Sequence, residues 1–281
     1  MMAIKSVNKI RKRVSFSILL VVCFLWIIPL VWGLSTSLKT DQDIANNPIG
    51  LFPQEFTLSS YQSLFTKVDT PVMKWMLNSF IIASAHTFLY LIFASLAAYA
   101  FSVLKWKNKE RLFWLVLSTT MIPAVINLVP LITMMIDLKW FGSWASLIIP
   151  GLGGVFGMFL LRQFFLGIPS ELIDSGKIDG LGSFGIFIRI VLPLAKSAFL
   201  VTGLFAFLGS WNDYLWPLIV MSGEDVARQT LPVGLSKIAS TYNYDYGLSM
   251  AAAILSIVPV VIVYAFTQDK IIEGVSRTGI K

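Results

Sequence analysis

Six blocks of apolar residues, each long enough to cross a lipid bilayer, constrain this chain more than any other feature of its sequence. They lie at about 14–36, 77–102, 112–136, 145–166, 196–220 and 247–268. At about 1.5 Å of rise per helical residue, each reaches the roughly 30 Å of a hydrocarbon core. Composition agrees: only 13% of the 281 residues are charged and the mean hydropathy is +0.77. A soluble domain of this length carries about a quarter charged residues. The expected fold class is therefore an all-α integral membrane protein with six transmembrane helices in a single membrane domain over 1–281. Pro123, Pro130, Pro217 and Pro259 fall inside these blocks, where packed membrane helices tolerate them as kinks.

The basic N-terminus, with Lys5, Lys9, Arg11, Lys12 and Arg13, resembles the start of a signal peptide. The apolar run that follows, Val14 to Leu34, exceeds the 7–15 residues or so of a signal core, and no small-x-small site closes it. It is expected to be an uncleaved first span. Sixteen of the 22 Lys and Arg residues fall on one side of the resulting topology. That side holds the N-terminus, Lys105 to Arg111, the 162–196 region and the C-terminal tail, so both termini are expected in the cytoplasm. The same distribution turns the net charge of +7 into a lipid and topology signal and argues against nucleic acid as a partner. The lone Cys23 leaves no disulfide framework and no Cys-rich metal site.

Between the fourth and fifth blocks runs a loop, 167–193, that is long for a link between membrane helices. Its core reads IPSELIDSGKIDGLGSFGIFIRIVLP from Ile168 to Pro193. Ser170 can cap a helix whose first turn carries Glu171, favourable at the positive end of the dipole. Asp179-Gly180 is a turn signal. Beyond it, Phe184, Phe187, Ile188, Val191 and Leu192 recur at helical spacing up to Pro193. Two short helices meeting at a glycine turn fit two roles: a docking element for a groove on a partner, or an interfacial helix pair that closes the loop.

The loop resembles the EAA loop of ABC importer permeases, in the form common to sugar importers, I-P-x-E-L-x-E-A-A-x-I-D-G followed by F-x-x-I-x-L-P. The matching residues are Ile168-Pro169, Glu171-Leu172, Ile178-Asp179-Gly180 and Ile190-Val191-Leu192-Pro193, while Asp174-Ser175-Gly176 stands where Glu-Ala-Ala is usual. Asp keeps the charge and Ser-Gly keeps the small volume, although Gly176 softens a helix by about 1 kcal/mol relative to Ala. Trp211-Asn212-Asp213-Tyr214-Leu215-Trp216-Pro217 resembles the W-N-x-[FY]-x-x-P block of MalG-like carbohydrate permeases, and the tail from Gln268 to Lys281 resembles theirs.

The resemblance implies the type I ABC importer (MetI-like) permease fold and a transport subunit rather than an enzyme. It implies a second, MalF-like permease as partner, two ATP-binding subunits that hold ATP and Mg, and an extracellular solute-binding protein. This chain has no G-x-x-x-x-G-K-[ST] phosphate loop and is expected to bind no cofactor or metal itself. Glu171, Asp174, Ser175, Gly176, Asp179, Gly180 and Pro193 are the implied coupling-loop residues, with the coupling helix at Asp174 to Ser183. Arg277 to Lys281 make a second candidate contact with the ATPase. Trp211, Asn212, Asp213 and Tyr214 are candidates for a substrate path, since aromatic faces stack on sugar C–H surfaces and amide or carboxylate groups bond hydroxyls. The Trp residues also fit an interfacial aromatic belt, whereas polar groups at membrane depth favour a cavity or a partner. His86 reads as an interhelical hydrogen-bonding residue, Met134 and Met135 as filling, and Gly151, Gly153, Gly154 and Gly157 as close helix packing. Asn127 and Ser256 fit either the path or packing. A self-contained secondary transporter is the alternative function, and only Asp213 approaches the intramembrane ionisable residues it requires.

Overall fold

A membrane interior leaves no water to satisfy backbone N–H and C=O groups, so apolar blocks of this length fold as helices or closed barrels. The computed structural model is helical, with no strand among the described residues. It describes residues 2–66, 70–241 and 245–278, with side chains described between Lys12 and Gln268 except at 239–241. In chain order the helices are α1 (Met2–Ser37), α2 (Asp41–Asn46), α3 (Ser59–Thr66), α4 (Val72–Ser102), α5 (Lys109–Ser118), α6 (Leu128–Asp137), α7 (Trp144–Ile148), α8 (Val155–Leu166), α9 (Ser170–Ile178), α10 (Ser183–Ile186), α11 (Leu192–Leu194), α12 (Lys196–Trp211), α13 (Leu215–Val220), α14 (Leu231–Thr241) and α15 (Tyr246–Thr278).

Three stretches, Lys12–Ser37, Val72–Ser102 and Tyr246–Gln268, are long and apolar enough to cross a membrane as single helices. Three bent pairs bring the total to as many as six. Pro29 inside α1 and Pro259 inside α15 leave those helices continuous. Pro123 acts more strongly than the expected kink: the helical runs on either side of it meet at 88°. Ile122 is extended (φ −80°, ψ 120°), as the residue before a proline prefers. The pair Trp144–Gly153 and Val155–Leu166 bends by 44°.

The fifth block departs furthest from expectation. Instead of one span over 196–220, α12 ends at Trp211, residues 212–214 break the helix, and α13 resumes at Leu215. Pro217 explains the position of the break, because a proline ring clashes with the carbonyl four residues earlier, here that of Asp213. At its other end α12 meets the Ser183–Leu194 segment at 82°, through Ala195.

Two compact units make up the chain, Met1–Met73 with Gly234–Val258, and Lys74–Val233 with Pro259–Lys281. In the first, α1 exposes apolar side chains around its circumference from Val14 to Leu34. The segment after it forms the short helices α2 and α3. It is tied by polar bonds: Lys39 Nζ donates to the carbonyls of Asn47 (3.1 Å) and Gly50 (2.7 Å), and the Gln54 N–H donates to Asp43 (2.7 Å). Thr40 caps α2 by accepting from the Asp43 N–H.

In the second unit α4 is the central strut. His86 Nδ1–H donates to the Ile148 carbonyl at 2.9 Å, and the Gly157 N–H donates to the Tyr90 hydroxyl at 2.9 Å. A Cβ added at Gly157 would sit 2.5 Å from the Tyr90 ring, and one at Gly151 would sit 2.6 Å from His86. Gly151, Gly154 and Gly157 therefore let α8 and the turn before it approach α4 closely, the small-residue packing of membrane helices. A Cβ at Gly153 would meet nothing within 4 Å, and that glycine makes no such contact. Below this crossing lies a buried cluster built from Ala94, Ala98, Tyr99, Phe101, Phe113, Leu161, Phe165, Ile173, Ile186, Phe187 and Val191. It joins α4, α5 and α8 to the loop.

Candidate functional site

The loop folds as α9 and α10 around a glycine turn, and its geometry follows residue by residue. Pro169 (φ −55°, ψ 132°) occupies the cap position of α9, and Ser170 is its first helical residue with no side-chain cap bond. Ser170 thus does not cap the helix as its side chain predicts. Glu171 stands in the first turn and Lys177 in the last, both matched to the dipole. Asp174 pairs with Lys177 at 2.7 Å, one turn apart and exposed to solvent. Its hydrogen bond to Lys177, then the lysine's charge, hold the Asp174 carboxyl below the usual carboxylate range. The Ser175 hydroxyl donates to the Leu172 carbonyl at 3.0 Å.

At the end of α9 Gly180 is left-handed (φ +78°). Its N–H donates to the Lys177 carbonyl (3.0 Å), and the Leu181 N–H reaches back to Gly176 (2.9 Å). These are the two bonds of a Schellman cap, which requires positive φ at that position. Asp179 is the residue just before it (φ −72°, ψ 6°). The Asp-Gly turn signal is therefore a helix cap that fixes where the chain reverses into α10.

Gly176 explains itself by contact. A Cβ there would lie 2.6 Å from Ile190 Cδ1, so α9 rests on the following segment at its closest point. That segment, Phe187–Val191, is a π-helical turn, and the Leu192 N–H donates back to Phe187. Pro193 follows at once. It removes a helical donor and presses on the carbonyl four residues back, and a widened turn relieves both. Gly176→Ala is expected to be nearly neutral in uptake, because the Ile190 terminus can move and Ala gains about 1 kcal/mol of helix propensity. Gly176→Val, which cannot be accommodated by that shift, is expected to lower uptake strongly. Comparing the two variants in one uptake assay checks this.

Two apolar faces result. Ile173, Ile186, Phe187 and Val191 are buried in the cluster against α4, α5 and α8. Leu172, Phe184, Ile188 and above all Ile178, 86% exposed, face outward. The sequence pattern foresaw one apolar face; the second is carried by Leu172 and Ile178 of α9 together with Phe184 and Ile188 beyond the glycine turn.

The break in the fifth block gathers the other candidates. Trp211 is 2% exposed and stacks on Phe207 at 5.9 Å between centroids. Asn212 and Tyr214 are exposed and Asp213 half-buried. The Asp213 carboxylate lies beside the N–H groups of Tyr214 and Trp216, with His86 within electrostatic reach. Trp216 Nε1–H donates to the Ser146 carbonyl at 2.8 Å. Of the tail candidates, the Arg277 side chain and all of Lys281 lie outside the described residues. No cluster of three metal-ligating side chains occurs among the described residues. Sequence reading missed the buried Arg162, which it counted only as a topological charge; Glu110, its partner, is 52 residues away.

Residues 90–277 match the family model described as "Binding-protein-dependent transport system inner membrane component". The chain is 33% identical to the arabinooligosaccharides transport system permease protein AraQ of Halalkalibacterium halodurans, over 92% of this chain and 93% of that one. It is 32% identical to the lactose transport system permease protein LacG of Rhizobium radiobacter, over 93% of each. Among solved structures it superposes with a TM-score of 0.83, at 21% identity and covering 93% of this chain and 96% of the other, on a chain of a bacterial ABC transporter involved in import of the acidic polysaccharide alginate. Fold and relatives agree, and the chain belongs to the binding-protein-dependent transport system inner membrane components, as a membrane-spanning permease subunit of an ABC importer.

Proposed function

We propose that this permease subunit moves a saccharide across the inner membrane, and that the 167–193 loop receives the motion of a separate ATPase. The observation that carries the coupling role is the two-faced loop: one apolar face is locked into the helical cluster, while Ile178 stands exposed at its tip beside the rigid Asp179-Gly180 cap. An element so anchored on one side and apolar on the other suits a groove on a partner. ATP and Mg belong to a pair of such ATPase partners. The exposed apolar circumference of α1 suits a second, MalF-like permease and the surrounding lipid. The family's dependence on a binding protein supplies the fourth component, and the Lys/Arg distribution supports an orientation with both termini in the cytoplasm. Glu171, Asp174, Ser175, Gly176 and Pro193 shape the loop, and Arg277 and Lys281 extend the proposed ATPase contact.

The saccharide assignment is supported by relatives named for arabinooligosaccharide and lactose transport. Asn212, Asp213 and Tyr214, at a helix break, offer exposed or half-buried polar groups to a path; buried Trp211 supports that break from beneath. Asn212→Ala and Asp213→Ala are each expected to cut saccharide uptake about three- to ten-fold or alter its selectivity, the range of one or two lost hydrogen bonds. The chain's level in the membrane should hold. Uptake measured across a panel of di- to pentasaccharides checks this; unchanged rates and selectivity in both variants would return these residues to packing.

A further inference from the structure

We infer that Arg162 is a positioning residue, a pin that makes the loop-side ends of α4, α5 and α8 move as one body with the α9–α10 loop. The inference rests on the coupling role proposed above and names the residue that carries the motion inward.

Arg162 lies in the last turns of α8, and its side chain is 7% exposed. Its Nε–H donates to the carbonyl of Phe101, in the last turn of α4, at 3.2 Å. Its Nη2 group donates to both carboxylate oxygens of Glu110, in the first turn of α5, at 2.7 and 2.8 Å. The guanidinium carbon stands 3.9 Å from the centroid of the Phe113 ring. One side chain thus bonds or stacks on three helices, counting its own. Phe113 in turn packs edge-on against Phe101 at 5.8 Å, so the stacked ring belongs to the same knot.

The knot continues into the loop. Tyr99, one turn before the end of α4, donates its hydroxyl to the Ser183 carbonyl at the start of α10 (2.8 Å), and its ring lies 5.1 Å from that of Phe187. The link between α4 and α5 is held as well: Lys109 Nζ donates to the carbonyls of Ser102 and Leu104, and Trp106 Nε1–H to that of Ala100. The 88° bend at Pro123 lies beyond this block, while the 82° bend at Ala195 and the 44° bend before Val155 lie at its edges.

Stability alone does not call for a charge at this place. Burying the Arg162 guanidinium, with its Glu110 partner 57% exposed, costs desolvation that an apolar side chain of similar volume avoids. What a guanidinium adds is a planar fork that fixes two partners at once in set directions. A displacement delivered to α9 then passes undistorted through the loop-side ends of α4, α5 and α8, and bending is left to the breaks at Pro123, Gly154 and Ala195.

The test uses the complete transporter in lipid nanodiscs, with Cys23→Ser as background and spin labels at Lys107→Cys and Arg189→Cys, both exposed positions of the block. Pulsed electron spin resonance gives their separation with and without ATP and vanadate. With Arg162 intact, one narrow distance distribution is expected, the same in both states. Arg162→Met is expected to broaden it and to lower saccharide moved per ATP hydrolysed about ten-fold, within the range of measured coupling energies. Membrane level and ATPase association should persist, and Arg162→Lys should recover part of the yield per ATP. Should Arg162→Met fail to accumulate, Glu110→Gln, altered at the half-exposed partner, is expected to show the same broadening in weaker form. A shift of the Arg162-intact distance between the two states, or a wild-type yield per ATP in Arg162→Met and Glu110→Gln, would overturn the inference. Absence of ATP-driven uptake before any change at Arg162 would instead strike at the transport reading itself.

Discussion

Replacing Asp179 and Gly180 together, as Asp179→Ala with Gly180→Val, is expected to abolish ATP-driven uptake while the chain still inserts and assembles. Gly180 holds φ at +78°, where a β-branched residue is strained by roughly 1–3 kcal/mol. The cheapest relief is to open the cap, which releases the carbonyls of Gly176 and Lys177 from their partners. The tip bearing Ile178 then loses its fixed direction, though the buried side of the loop, on Ile173 and Ile186, keeps its packing. ATP hydrolysis by the assembled complex is expected to persist but no longer respond to loaded binding protein. Parallel assays of uptake, hydrolysis and membrane level separate these outcomes. Normal uptake in the double variant would remove the loop from the coupling role.

Gly157→Val is expected to fail at an earlier step, in helix packing. The added Cβ would lie 2.5 Å from a Tyr90 ring carbon and 2.6 Å from the hydroxyl that accepts the Gly157 N–H. The ring is flanked by His86, 5.7 Å away between centroids, so it has little room to yield. Overpacking of this kind costs about 1–3 kcal/mol, and the hydrogen bond lost with it adds about 1 kcal/mol. A clear fall in thermal stability in detergent and a reduced membrane level are expected. Tyr90→Ala in the same chain should recover much of the loss, because residues in contact are non-additive. If the double variant is as unstable as the sum of the two single ones, Gly157 and Tyr90 are not coupled as the structure has them.

The helices themselves were legible in the sequence because hydropathy blocks of bilayer length have few alternatives. The breaks were less so. Pro123 marks its own position, yet nothing in composition distinguishes a mild kink from an 88° turn; that depends on what packs on each side. The break at 212–214 precedes Pro217, since the clash acts on the carbonyl four residues back, and sequence inspection centres attention on the proline. In the loop, Asp179-Gly180 was readable as a turn and the structure refines it to a helix cap. Which of Phe184, Phe187 and Ile188 turn inward was not readable, because all three are apolar and only the contact of Phe187 with Tyr99 of α4 selects it. Trp211 looked like its neighbours in an aromatic run, and only its stack on Phe207 shows it to be core. Arg162 and Glu110 illustrate the general limit: each is an ordinary charge at its own place, and only the meeting of α5 with α8 makes them a pair.

The most direct test of an ATP-coupled permease is a mild-detergent pull-down of the tagged chain from its native membrane, followed by reconstitution of whatever is recovered. An ATP-binding subunit and a second multi-span permease are expected to come with it, and the reconstituted assembly is expected to move saccharide only when ATP and a loaded binding protein are supplied. A chain recovered alone that still moves solute without ATP would contradict this.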